Sequence, residues 1–137
     1  MPVFPSTEWM DAFCAELVAH PRAADAATRM SGVYRFVVVP GGPLTERHTY
    51  EISLVRAGPV MQAHRVDDTA VPRVVVTTDY ARWRQLLEGR LNLTTAMLFG
   101  HLRITGDMAA LLGSRGDVDV LIDALRGVDT VWHDDAS

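Results

Sequence analysis

The residues best suited to chemistry in this sequence are five histidines, one cysteine and two pairs of adjacent aspartates, and their spacing argues against a reactive centre. His20, His48, His64, His101 and His133 are spread along the chain, without an HExxH pattern and without a second cysteine to complete a zinc set. His48 and His64 are the one pair that a strand meander could set face to face, and no third ligand accompanies them. Surface or strand-edge positions are the expected places for all five. Asp67-Asp68 and Asp134-Asp135 are neighbours in sequence, so their side chains diverge in a strand or helix and form no acid–base pair by spacing. Cys14 stands among Trp9, Phe13 and Leu17 on an amphipathic stretch, where it reads as a small buried hydrophobe rather than a nucleophile. The sequence contains no GxSxG, P-loop or GxGxxG. Arg115-Gly116-Asp117 reads as a helix break followed by an N-cap, and Asn92-Leu93-Thr94 as a formal glycosylation sequon without consequence. The expectation is a protein that is not an enzyme and needs no cofactor or metal.

What remains is apolar. Trp83, Leu86, Leu87, Met97, Phe99, Ile104, Met108, Leu111 and Leu112 cluster in the second half of the chain, and pattern alone reads them as ordinary core. Periodicity does not separate a lined cavity from a filled one.

The elements that must position these residues are legible in part. Ser6 or Thr7 can cap a helix with Trp9, Met10, Phe13, Cys14, Leu17 and Val18 on one broad face; His20-Pro21 ends it. Ala23 to Met30 is alanine-rich enough for a second helix. Val33 to Val39, Arg47 to Val55 and Val60 to Val66 then read as three strands joined by Pro/Gly turns, an antiparallel meander. In the second strand His48, Tyr50, Ile52 and Leu54 alternate with Arg47, Thr49, Glu51 and Ser53, which predicts one covered and one wet face. Arg73 to Thr77 is a fourth strand, followed by a helix capped by Thr78 or Asp79 and a short helical piece after Gly89 that Gly100 ends. His101 to Thr105 is the fifth strand. Gly106-Asp107 opens a last helical region, Met108 to Leu112, which a GSRG break at Gly113 to Gly116 separates from Asp117 to Leu125.

Composition bounds the rest. A chain of 137 residues with 48% hydrophobic and 22% charged residues suits one globular domain over residues 1–137. All 13 basic residues are arginine, scattered rather than striped, and the net charge is −4, so nucleic acid is not an expected partner. The apolar runs are far short of the roughly 20 residues of a bilayer-spanning helix. The first residues do not read as a signal peptide, the last are not a Ser-Lys-Leu address, and a single cysteine fits a reducing compartment; a cytoplasmic location is expected.

The order helix, three strands, crossover, strand, helices, strand, helix resembles the sterol carrier protein 2 family. Leu86 to Met108 is similar to that family's most recognisable segment through Leu86, Gly89, Arg90, Leu91, Asn92, Ala96, Gly100, Leu102, Ile104, Gly106 and Asp107. Departures are His101 where lysine is common, Leu93 where proline or a polar residue is common, and the GSRG interruption. The resemblance implies an α/β (α+β) fold, a mixed five-stranded sheet with helices covering one face and an apolar tunnel between them. It implies non-catalytic binding or transfer of a sterol, fatty acid or fatty acyl-CoA, with Trp83, Leu86, Leu87, Met97, Phe99, Ile104, Met108, Leu111 and Leu112 as lining residues. The alternative it leaves open is an accessory subunit of a lipid- or steroid-processing enzyme that has lost the tunnel. Transient membrane contact, a homodimer or an enzyme partner are compatible with either reading.

Overall fold

A computed structural model of the chain describes residues 1–67, 71–107 and 115–133. Its centre is a five-stranded mixed sheet. The strands are β2 (Gly32–Val39), β3 (His48–Ala57), β4 (Val60–Val66), β5 (Val74–Asp79) and β6 (Arg103–Gly106), in the order β4-β3-β2-β5-β6. The expected meander is present: β2 pairs with β3 and β3 with β4, both antiparallel. The chain then crosses over to lay β5 parallel to β2, and β6 returns antiparallel to β5.

The helices are α1 (Thr7–Ala19), α2 (Ala23–Met30), α3 (Tyr80–Leu87), α4 (Leu93–Leu98) and, after residues 108–114, α5 (Arg115–Gly127). Ser6 caps α1 by accepting the Trp9 N–H at 3.0 Å, and the helix buries Trp9, Met10, Phe13, Cys14 and Leu17. Val18, expected on the same face, is instead 44% exposed: it lies at the edge of the stripe, beyond what the core covers. Asp79, not Thr78, caps α3 by accepting the Arg82 N–H at 2.8 Å. Thr78 faces the other way and donates its hydroxyl to the His101 carbonyl at 2.7 Å, tying β5 to the turn before β6.

Strand alternation sets the two faces of the sheet. Tyr34, Phe36, Val38, Ile52, Leu54, Val74 and Val76 are buried beneath the helices. The opposite face carries Arg35, Thr49, Glu51 and Ser53, as the alternation in β3 predicts, but it is not wet throughout: Glu51 is 8% exposed and pairs there with its cross-strand partner Arg35 at 3.4 Å. Helix α5 begins at Arg115, so Arg115 and Gly116 belong to the helix rather than to a break before it. One glycine weakens a helix by only about 1 kcal/mol, less than the burial of Val120, Leu121, Ala124 and Leu125 further along it contributes. The expected helix from Met108 to Leu112 lies outside the described residues.

A short parallel pair that no sequence period signals joins β1 (Val3–Phe4) to β7 (Val131–Trp132). It places Phe4 against Trp9, Tyr80, Trp83 and Trp132 at ring-centroid distances of 4.8 to 6.4 Å, an aromatic cluster under α1 and α3. The Trp9 indole N–H donates to the Thr130 hydroxyl at 2.9 Å, joining the two ends of the chain.

Candidate functional site: an apolar cavity between sheet and helices

Two small cavities lie between the covered face of the sheet and the helices, and Phe13, Phe36, Trp83 and Leu125 border both. The one beneath α1 has about 10 Å³ of room for the centre of a water molecule, the one beneath α3 and α4 about 30 Å³. The second cavity is walled by Val76 and Ile104 from the sheet, Trp83 and Leu86 from α3, Leu93 from α4, and Leu121, Ile122 and Leu125 from α5. These walls are apolar throughout. Trp83, 1% exposed, borders both cavities, as do Phe13, Phe36 and Leu125, and its indole N–H donates to the Val37 carbonyl at 3.0 Å. That bond satisfies the polar end of the indole and fixes the ring as a wall.

Of the residues expected to line a tunnel, Trp83, Leu86 and Ile104 border this cavity. Leu87, 7% exposed, and the half-buried Met97 pack in the surrounding core without reaching it. Phe99 departs from expectation: it is 71% exposed, because α4 ends at Leu98 and Phe99 leaves the helical face that Ala96 buries. Met108, Leu111 and Leu112 lie outside the described residues. The lining from Phe13, Phe36, Val76, Leu93, Leu121, Ile122 and Leu125 was not singled out from sequence. Alternation in β2 and the i, i+4 pair Leu121/Leu125 mark these as inward-facing, but membership of one cavity is set by how the elements dock.

Glycines shape the edge of the site. Gly100 turns left-handed at the end of α4 (φ 70°), so that the His101 N–H reaches back to the Ala96 carbonyl at 2.8 Å. Asn92, the first residue of the formal sequon, caps α4 by accepting the Thr95 N–H at 3.1 Å. At the far end Arg126 donates to the Leu86 carbonyl at 3.2 Å and Arg29 grips the buried Asp117 with two bonds of 2.6 and 2.8 Å, tying α5 to α3 and α2.

The groups weighed for chemistry fall elsewhere. His64 pairs with Ser53 and His48 with Val38 of the neighbouring strand, so the two histidines do not face each other. Five residues of strand, roughly 17 Å, separate His48 from the residue opposite His64, and the two project from opposite faces. Among the described residues no cluster of three or more His, Cys, Asp or Glu is placed to hold a metal ion. Asp68, Asp134 and Asp135 lie outside them. Cys14 is buried, and burial, aided by the Asp11 carboxylate, pushes its thiol up to about 11, away from nucleophilic use. Among the described residues no helix is long and apolar enough to cross a membrane.

Comparison with known proteins agrees with this architecture. A crystal structure of sterol carrier protein 2 superposes with a TM-score of 0.70 at 26% identity, covering 90% of this chain and 97% of its own. A conserved hypothetical protein of Thermus thermophilus, described as possibly a sterol carrier protein, gives 0.72 at 25% identity, covering 92% and 90%. A ubiquinone synthesis protein, UbiJ-SCP2, shares the fold at 18% identity and a TM-score of 0.57, covering 85% and 90%. No match was found among curated protein sequences. The model of the SCP-2 sterol transfer family matches residues 11–116. With the five-stranded mixed sheet and the helices over its apolar face, that match makes this chain a member of the SCP-2 sterol transfer family, whose domains bind or transfer lipids.

Proposed function

We propose that the chain binds, without catalysis, a nonpolar ligand of the sterol, fatty acid or fatty acyl-CoA class in the space between sheet and helices. The observation that carries the reading is the apolar cavity walled by Trp83, Leu86, Leu93 and Ile104, in a chain of this family. At about 30 Å³ the cavity is far below the roughly 300–1,000 Å³ of ligand pockets, so a ligand has to part its wall. Helix α4 is the suited element: six residues long, with only Ala96 fully buried, and bounded by left-handed Gly89 and Gly100. Burying about 300 Å² of ligand at about 25 cal/mol per Å² contributes roughly 7 kcal/mol before the costs of binding and of opening. This area alone therefore sets an upper limit on affinity at a Kd of about 10 μM, with tighter binding requiring a larger buried area. Titration with a fluorescent fatty acid tests this: saturable one-to-one uptake is expected, and its absence with sterol and fatty acid probes alike would end the proposal. A cytoplasmic location fits the lone reduced thiol of Cys14.

The smallness of the cavity favours a second reading, an accessory subunit whose core is filled and which serves a lipid-processing enzyme. Co-purification of a defined enzyme with a chain that takes up no lipid would select it.

A further inference from the structure

The strands that wall the apolar cavity have a second side. The alternation that turns Phe36 and Val76 inward turns Val37, Val75 and Thr77 outward, where they share an open concavity of about 470 Å³ with Arg35, Arg47 and Thr49. Its size falls within the roughly 300–1,000 Å³ of ligand pockets. Strand register orders the side chains that surround it. Val37 is flanked by Thr49 of β3 and Thr77 of β5, and Thr77 in turn by Arg103 of β6. Arg47 stands two residues before Thr49 on the same side, and Arg35 two residues before Val37 in the next row. Val37 faces away from the helices yet is only 5% exposed, as expected where long arginine stems lie across an apolar floor.

The charges on this face do not cancel. Glu51 pairs with Arg35 at 3.4 Å, and Asp79, at the end of β5, is taken up by Arg82 at 3.1 Å. Arg47 and Arg103, both exposed, have no ion-pair partner among the described residues. Glu46, beside Arg47 in sequence, does not line the concavity. A chain of net charge −4 thus keeps two guanidinium groups in reserve at either end of a row that also offers two hydroxyls.

We propose that the outer face of β2, β3, β5 and β6 binds a small polyvalent oxyanion of the phosphate or carboxylate type. Arg47 and Arg103 supply charge-assisted hydrogen bonds from the two ends of the row, and Thr49 and Thr77 donate their hydroxyls from either side of Val37. Arg35, oriented by Glu51, adds positive charge from the next row. With strands about 4.8 Å apart, the row from Thr49 to Arg103 spans roughly 14 Å at the backbone, which suits a ligand with more than one anionic group. The site lies on the other side of the strands from the proposed lipid cavity and does not depend on it.

Isothermal titration with pyrophosphate, citrate and inorganic phosphate at low ionic strength tests the site, and backbone amide NMR shifts locate it. Saturable one-to-one binding of pyrophosphate or citrate is expected, with shifts at Val37, Thr49 and Thr77 and weaker binding of inorganic phosphate. Whichever of the first two binds more tightly assigns the phosphate or the carboxylate type. Arg47→Gln and Arg103→Gln should each weaken binding about tenfold, and Thr77→Val about threefold. Arg22→Gln, which removes the same charge from the turn between α1 and α2, should leave the affinity unchanged. All three arginines are exposed, so these variants should fold, as circular dichroism would show. Absence of binding by both pyrophosphate and citrate, an equal loss in Arg22→Gln, or shifts confined to other elements overturns the inference. Binding of oligoglutamate without binding of either small oxyanion would also overturn it, and would assign the face to an acidic protein partner. Fatty acid uptake should be unchanged in Arg47→Gln: uptake without oxyanion binding ends this site alone, and oxyanion binding without uptake ends the lipid reading alone.

Discussion

Trp83→Ala isolates the contribution of the largest side chain that borders both cavities. Trp83 is 1% exposed, borders both, and donates its indole N–H to the Val37 carbonyl at 3.0 Å. Truncating a buried tryptophan costs about 3–5 kcal/mol, and losing the hydrogen bond adds about 1 kcal/mol. The expected loss is therefore about 5 kcal/mol, against a total stability on the order of 10 kcal/mol for a domain of this size. Urea unfolding followed by circular dichroism should show the midpoint falling by about 2–3 M. The truncation also adds the space of the lost indole to the cavities of about 10 and 30 Å³ that Trp83 borders, toward the roughly 150 Å³ of apolar cavities that take up benzene. Benzene should accordingly raise the melting temperature of the variant and not that of the wild type. Trp83→Phe, which keeps a ring in place, should lose only about 1–2 kcal/mol and guards against a variant that fails to fold. A loss below about 2 kcal/mol in Trp83→Ala, together with no response to benzene, would refute the role given to this side chain.

Three further outcomes follow from the supporting structure. Asp117→Asn breaks the two-bond grip of the half-exposed Arg29 and should cost about 2 kcal/mol, read as a melting point lower by roughly 8 °C. Gly106→Ala should cost about 3 kcal/mol or more in the same assay, since φ is 104° there and a Cβ would overlap the Arg73 carbonyl oxygen across the β5–β6 edge. Cys14, raised from 9.0 to about 11, should react with Ellman's reagent at pH 8 only on unfolding. Because the folded state holds the thiol proton more tightly, Cys14 contributes stability that is present below pH 9 and lost toward pH 11. A denaturation series across that window should therefore fall more steeply for wild type than for Cys14→Ala.

How far the sequence reveals this structure depends on whether a signal is local. The Ser6 cap, the bounds of α2 and the clean alternation of β3 are set by neighbouring residues, and each appears where the pattern places it. The motif from Leu86 to Asp107 marks turns whose left-handed glycines are required by backbone geometry, which is why it identifies the fold well. The β1–β7 pair escapes notice because two-residue strands carry no period, and its partners lie at opposite ends of the chain. Phe99 stands apart because a helical piece that Gly100 ends includes it by sequence, whereas α4 stops at Leu98 and leaves Phe99 at the exposed cap. Most of the cavity wall is not legible in the sequence for another reason. Phe13, Phe36 and Leu125 look like any inward-facing residues until α1, β2 and α5 are docked together, and only tertiary packing decides which of them border empty space.

Carriage of a nonpolar ligand between sheet and helices, as proposed, adds a defined mass to the protein. Native mass spectrometry of the purified protein, followed by extraction and identification of the released molecules, tests it most directly. The expected spectrum contains a species heavier than the chain by one sterol- or acyl-chain-sized molecule, displaced stoichiometrically by added fatty acid. A spectrum containing only the bare chain, before and after incubation with fatty acid and sterol, would contradict it.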